Sequence, residues 1–451
     1  MKKRPAKKAR ATTKAKSVTP ETRVSRFLTR HGANYRDIDI DTWTKRFCSE
    51  MENGLAGKKS SLKMIPTYIE VDTEHELPVD KKVIVLDAGG TNFRVSTVRF
   101  DASRNPVVEN FTTHRMPGIE RELAKDEFYA AMSAHVRAVA DVSDSISFCF
   151  SYPVEMFPSK DGKLMHWTKE VKAKAVEGSF IGEGLTAALA ANGASKKNIV
   201  ILNDTVATLL AGRSVSGARQ YGSYIGFILG TGTNTSYVEA NRNITKVKGL
   251  DAKRSQCINI EMGGMNVLPH GDLDDALDAT TQDKGNYRLE KIVSGRYLGP
   301  LALLAVHAAC REGLFSPAAA TLLSSLTALE TKDINDFISM PNDTEYSLSR
   351  LVMGDDARTL WHLFDMLVSR SAAITAINLA SVVIRSGAGT DPLAPVGITA
   401  EGTTFHRLAG LKQKTERFLG AYLREKKGIY YDILTVENAT LIGTAVAGLM
   451  N

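Results

Sequence analysis

The sequence predicts an α/β protein built from two similar halves that face one another. Three observations carry this expectation. Strand-like and helix-like segments alternate through the first half of the chain. One strand, glycine turn, strand hairpin occurs twice. In both copies the glycines leave a buried strand, where backbone N–H groups can approach an anion because no Cβ intervenes.

The elements follow in order. Residues 20–52 read as helical. The run "VIVLDAGGTNFRVSTVRF", residues 83–100, reads as strand, turn, strand, and residues 127–139 read as helix. "SISFCF", residues 145–150, is a short strand, and "NIVILNDTVATLLAG", residues 198–212, is a buried strand running straight into a helix. "YIGFILGTGTNTSYVEA", residues 224–240, is the second hairpin. Written beneath each other, "VIVLDAGGTNFRV" and "IGFILGTGTNTSY" align without a gap, with Gly90-Thr91-Asn92 falling on Gly232-Thr233-Asn234. The copies differ in charge, because Leu229 stands where the first copy has Asp87.

Composition bounds the function. The chain has 451 residues, 43% hydrophobic and 24% charged, enough for two or three domains. Its net charge of +7 suggests a nucleic-acid partner until the charge is located: the first sixteen residues hold eight Lys or Arg and no acid. The remainder is near neutral, and the basic segment has too little apolar surface to form a core. A disordered, solvated arm over residues 1–19 is the expectation, ahead of docking to nucleic acid or a membrane. No stretch holds the ~18 uninterrupted apolar residues of a membrane span, and no secretory signal is recognisable. Cys48, Cys149, Cys257 and Cys310 are scattered without a C-x-x-C, which indicates neither a zinc site nor a disulfide framework and fits a reducing, cytoplasmic setting.

A carboxylate beside a phosphate-type turn needs an explanation. The P-loop pattern is absent and neither turn has a lysine. Two glycine turns with one acid suit a phosphate chain carrying Mg2+, a hard cation that often meets protein through one or two carboxylates or their waters. Asp87 would then answer the metal. The alternative is that Asp87 bonds its own turn, as Asx residues do.

Seven segments, "LDAGGTNFRV", "FSYP", "WTK", "LNDTVATLL", "GTGTN", "NIEMGG" and "LEKIVSGRYLG", occur in the order and spacing found in hexokinases. The chain resembles that family from about residue 83 to 298, and more weakly to its end. The resemblance implies a two-lobed fold of the actin and heat-shock ATPase (ribonuclease H-like) type, with duplicated hairpin-containing sheets and a cleft between the lobes. Residues 20–78 and 206–436 would form a large lobe, and 79–205 with 437–451 a small one. It implies transfer of the γ-phosphoryl of MgATP to the 6-hydroxyl of glucose or a related hexose, the entry step of glycolysis, by a monomer or a homodimer. The alternatives are a kinase of the same fold with another donor or hexose, a catalytically weak sugar-binding regulator, and a pure ATPase.

The resemblance also implies residue roles. Ser151, Thr168, Lys169, Asn203, Asp204, Asn234, Glu261 and Glu290 would contact the sugar, whose hydroxyls are matched by carboxylates, amides and Ser/Thr hydroxyls. Asp204 and Lys169 would be catalytic, the first taking the hydroxyl proton and the second stabilising charge on the transferred phosphoryl. The bland readings are a helix N-cap for Asp204 and a solvated loop for Lys169 in its lysine-rich segment. Asp87, Gly89, Gly90, Thr91, Asn92 and Arg94 of the first turn, Gly230, Thr231 and Gly232 of the second, and Gly402 and Thr403 of "AEGTTF" would hold ATP phosphates, with Asp87 serving Mg2+. The final helix departs from the family, carrying Ala439 and Leu441 where glycines are usual and retaining Gly443, which is expected to crowd an adenine.

Overall fold

The computed structural model describes residues 18–71, 77–168, 170–214 and 219–451. The basic segment 1–16 and Lys169 lie outside the described residues.

The strands, in chain order, begin with β1 (Ile65–Glu70), β2 (Val83–Gly89), β3 (Asn92–Phe100), β4 (Pro106–Arg115), β5 (Ser145–Phe150), β6 (Val154–Met156) and β7 (Gly162–Leu164). They continue with β8 (Asn198–Leu202), β9 (Ser223–Leu229), β10 (Thr233–Ala240), β11 (Ser255–Asn259), β12 (Val396–Glu401) and β13 (Tyr431–Leu434). One sheet has the order β4-β3-β2-β5-β8, a second β1-β11-β10-β9-β12-β13, and β6 pairs with β7 in a small ribbon. Each large sheet joins an antiparallel hairpin to strands added in parallel. This is the α/β class expected, with each predicted hairpin in its own sheet.

The first sheet explains why its central strands are continuously apolar: both of its faces are buried. Ile84 and Leu86 of β2, with Ile146 and Phe148 of β5, pack under the helices Lys125–Val136 and Ile181–Ala191. Val83 and Val85, with Val200 and Leu202 of β8, face the opposite core, shared with the helices Asp204–Ser214 and Ala439–Met450. Since side chains alternate along a strand, Asp87 continues the second of these faces, two residues beyond Val85.

The Asp204–Ser214 helix is wedged between the two sheets and the last helix. A Cβ on Gly226 of β9 would lie 2.0 Å from the Thr205 carbonyl oxygen, and one on Gly443 only 1.7 Å from that of Ala207. Glycine at these two positions is a demand of space, not of turn geometry.

Two expectations need correction. The helical stretch 20–52 is two helices, Pro20–Arg30 and Ile40–Leu55. Gly32 at φ 64° breaks the first, and Asp39 accepts the Thr42 N–H at 2.8 Å to start the second. The two hairpins also turn differently: Gly89 pairs with Asn92 across a two-residue turn, whereas Leu229 pairs with Thr233 across three residues. The repeat holds for the strands and lapses at the turns.

The 33-residue helix Gly354–Ser386 contains an 18-residue window of mean hydropathy 1.7, and 94% of that window is buried. It packs against the helices Pro20–Arg30, Ile40–Leu55 and Leu411–Leu419, which identifies it as a core helix.

Because the contact at Gly443 is with main chain, a methyl group there must push two helices apart. Gly443→Ala is expected to lower unfolding free energy by roughly 2–4 kcal/mol. An unchanged urea midpoint would show that the helices separate without cost.

Candidate active site

Strand alternation and the wedged helix bring most of the expected residues together. On β8, Leu202 ends the buried strand and Asn203 turns the chain into the helix. The Asn203 Oδ1 accepts the Thr205 N–H at 2.9 Å and the Thr205 hydroxyl at 2.6 Å, and the Ala207 N–H donates to the Asn203 carbonyl. Capping therefore falls first on Asn203, although the Asp204 Oδ1 also accepts the Thr205 N–H, at 2.8 Å. The capping reading of "NDT" is correct for the segment, and Asp204 remains half-buried on the first turn of the helix.

Asn234 is the hub on the second hairpin. Its Nδ2 donates to Asn259 Oδ1 at 2.8 Å and reaches Glu261 Oε1 and Thr205 Oγ1 at 3.3 Å each, while its Oδ1 accepts the Met262 N–H at 3.1 Å. Asn259 in turn donates to Glu261 Oε1 at 2.9 Å. A continuous chain of polar side chains thus runs from Asn203 through Thr205 and Asn234 to Glu261. Glu261 is held at φ 59°, the left-handed region that a non-glycine residue rarely occupies. Thr205 and Asn259 were not among the residues expected. Alternation in "NIE" gives a signal for Asn259, because residues two apart share a strand face.

Glu290 closes this cluster from the Arg288–Val293 helix. Its Oε2 accepts the Thr233 N–H at 3.0 Å, and a Cβ on Gly232 would lie 2.6 Å from that oxygen. Burial pushes the Glu290 carboxyl up from its ordinary range; the Thr233 N–H and Arg296 oppose the shift, and the charge of Glu261 adds to it.

The first turn supplies a second group. The Asp87 Oδ2 pairs with Arg94 Nη1 at 2.6 Å, the two residues lying opposite each other in the β2–β3 register. A Cβ on Gly89 would sit 3.7 Å from Asp87 Oδ1 and 3.8 Å from Ser151 Oγ, so these three converge. Cys149 ties the groups together. It lies beside Asp87 in the β2–β5 register and beside Leu202 in the β5–β8 register, and burial first, then the charges of Asp87 and of Asp204, hold its thiol well above the usual range.

At the second turn, a Cβ on Gly230 would lie 3.8 Å from Gly402 Cα, and the Thr404 hydroxyl donates to the Gly230 carbonyl at 2.8 Å. Gly402 and Thr403 therefore stand beside that turn as expected. Thr91 and Thr231, at the turn tips, are exposed, and Asn92 opens β3. Ala439 is only 1% exposed, so its methyl group belongs to the core, and Leu441 is half-buried against the same cluster.

Thr168 is not gathered into either group. It is exposed, directly after a Trp167 whose ring packs on Phe128, Phe150 and Tyr152 and whose Nε1 donates to the Ala173 carbonyl at 2.9 Å.

No group of three or more His, Cys, Asp or Glu arranged to hold a metal occurs among the described residues. A cation at Asp87 would take most of its ligands from phosphate oxygens and water. That donor set fits Mg2+, which retains several waters, and excludes a dedicated protein cage.

Comparison with known proteins identifies the family and the fold. Family models described as Hexokinase match residues 29–214 and 224–450. The chain is 30% identical over 375 residues to Hexokinase-1 of Spinacia oleracea, covering 76% of this chain and 72% of that protein. It is 29% identical over 385 residues to Hexokinase-3 of Homo sapiens, covering 79% of this chain but 39% of that protein. The chain thus spans about two-fifths of the length of several curated relatives it matches. A hexokinase from Schistosoma mansoni, solved with glucose, has the same fold with TM-score 0.72 at 21% identity, covering 95% of this chain and 99% of that one. A second hexokinase crystal structure gives TM-score 0.78 with the same coverage. The fold is the two-lobed, actin-like ATPase fold. Within it, the chain belongs to the hexokinase family.

The environment of Glu290 yields a pH prediction. A carboxyl whose folded value is raised contributes stability below its unfolded value and loses it as pH rises through the folded value. Glu290→Gln keeps an acceptor for the Thr233 N–H and removes the buried charge. It should melt higher than the parent protein at pH 7.5, with the gain shrinking as the pH falls into the range where Glu290 is protonated. A lower melting temperature at pH 7.5 would contradict burial as the dominant cause.

Proposed function

We propose that this protein is an ATP-dependent hexokinase that transfers the γ-phosphoryl group of MgATP to the 6-hydroxyl of glucose or a closely related hexose. The observation that carries the reading is the convergence of Asp204, held on its helix between Asn203 and Thr205, with the amide and carboxylate cluster of Asn234, Glu261 and Glu290. That cluster offers the alternating donors and acceptors a sugar ring requires. Family membership and a fold shared with a hexokinase that binds glucose support it.

In this reading Asn203, Asn234, Glu261 and Glu290 hold the sugar hydroxyls, with Ser151 and Thr168 completing the set from the other side. Asp204 accepts the proton of the attacking hydroxyl and aims its oxygen. Gly89, Gly90, Thr91, Asn92 and Arg94 contact the donor phosphates from one side, and Gly230, Thr231, Gly232, Gly402 and Thr403 from the other. Asp87 would hold Mg2+ through its waters, and the bound cation would neutralise phosphate charge. Lys169, outside the described residues, is assigned the cation beside the transferred group. Residues 20–78 with 206–436 form the large lobe and 79–205 with 437–451 the small one, a division supported by which strands share a sheet. A cytoplasmic location is part of the same reading, in keeping with four free cysteines.

A coupled assay against a panel of hexoses with ATP tests the activity. Asp204→Asn should lower kcat by at least ~10²-fold, the range for a positioned proton acceptor, while the protein stays folded. Near-full turnover would rule out Asp204 as the proton acceptor.

Sugar ligands drawn from both sheets also imply closure, which excludes water as a competing phosphoryl acceptor. Glucose alone should compact the protein in small-angle scattering and change Trp167 fluorescence saturably, whereas ATP alone should do little. Identical scattering curves with and without saturating glucose would rule out sugar-driven closure.

A further inference from the structure

Tyr152 stands between the two parts of the site that receive different substrates. Its hydroxyl donates to the Gly90 carbonyl at 2.8 Å. Its ring meets Trp167 edge-on, centroids 4.9 Å apart at 85°, and also contacts Phe150 at 4.9 Å. Trp167 directly precedes Thr168 and Lys169. One side chain therefore joins the loop assigned to the sugar with the turn assigned to the donor phosphates.

The bond to Gly90 has a geometric consequence. The Gly90 carbonyl and the Thr91 N–H are opposite ends of one planar trans peptide and point in opposite directions. Holding the carbonyl fixes the direction of that N–H. The far side of Thr91 is held too, because its carbonyl accepts the Met116 N–H at 2.9 Å. Gly90 itself sits at φ 67°, and a Cβ there would meet nothing within 4 Å, so the turn opens onto free space. Packing alone does not require the hydroxyl, since a phenylalanine ring would fill the same place between Phe150 and Trp167.

We propose that Tyr152 is a positioning residue that couples the two substrates: contact of the sugar with Thr168 is passed through the Trp167 and Tyr152 rings to the Gly90–Thr91 peptide, whose N–H then faces a donor phosphate. This rests on the kinase reading above. Burial, and then the charge of Asp87, push the Tyr152 phenol up to about 12, so the hydroxyl remains a donor throughout the neutral range.

The test separates the coupling from the activity. Binding of a non-hydrolysable ATP analogue with Mg2+ is measured by calorimetry with and without glucose, alongside steady-state kinetics. Tyr152→Phe should weaken analogue binding in the presence of glucose, and raise KM for ATP, by roughly fivefold, the worth of one hydrogen bond. Its kcat, KM for glucose and melting temperature should stay within about twofold or 2 °C of the parent. Tyr152→Leu, which also removes the ring from Trp167, should abolish any tightening of the analogue by glucose. Unchanged analogue affinity in Tyr152→Phe, or an equal rise in both KM values, overturns the proposal. A parent protein that binds the analogue but phosphorylates no hexose overturns the kinase reading instead, and the calorimetric comparison still decides the role of Tyr152.

Discussion

The rest of the structure depends on one steric constraint: the helix that begins at Asp204 has main chain pressed against it on two sides. Gly226 leaves no room between β9 and the Thr205 carbonyl, and Gly443 leaves none between the last helix and Ala207. The last helix also rests on the first sheet, where a Cβ on Gly448 would lie 2.7 Å from the Val83 side chain and 2.8 Å from that of Ser147. The carboxylate of Asp204 is thus carried on a rod clamped by both halves of the protein. Its position relative to Asn234 is set by backbone contacts, which are less compliant than side-chain packing, and relative to Asp87 by the last helix and the side chains it rests on.

That clamp explains what the sequence disclosed and what it withheld. The two hairpins and the buried strand running into a helix were legible because apolar runs and glycine turns are local signals, whereas the face on which Asp87 lies emerged only from the sheet, since "VIVL" is apolar on both sides. The break at Gly32 was not, since a lone glycine inside a helical pattern is tolerated as often as it terminates one. The different lengths of the two turns were hidden for another reason. A gap-free alignment records residue identity, but a ladder register depends on which backbone groups pair, and the Thr233 N–H is taken by Glu290, 57 residues away. Asn203 and Asp204 were readable as a pair, while the division of capping between them was decided by where each side chain could reach. The link from Asn234 through Asn259 to Glu261 joins segments distant in sequence, and only their meeting in the fold reveals it. The same is true of Tyr152, which reads as a core aromatic until its hydroxyl is located.

Four carboxylates, Asp87, Asp204, Glu261 and Glu290, gather in this region, and among the described residues Arg94 and Arg296 bear on two of them. Arg94 pairs directly with Asp87. Glu261 is met instead by the neutral amides of Asn234 and Asn259, and Glu290 by the Thr233 N–H. Neutral donors satisfy a carboxylate without cancelling its charge, so the cluster keeps a negative field and unspent acceptor capacity. A polyhydroxylated ligand suits such a site better than an anion does. Phosphates are correspondingly assigned to glycine turns and Arg94, at its margin. Glu290 shows the cost of that arrangement: burial raises its carboxyl, and the Thr233 N–H and Arg296 offset the rise only in part.

The Gly354–Ser386 helix bears on how the polypeptide emerges from the ribosome. Two helices that cover it, Pro20–Arg30 and Ile40–Leu55, are synthesised long before it, whereas Leu411–Leu419 follows later. Until that later segment appears, a 33-residue rod with the apolarity of a bilayer-crossing helix has only part of its cover. Large proteins expose aggregation-prone surface at such stages, and the early helices give this one a docking place while synthesis continues. Chain order thus places part of the cover of this helix before it and part after it.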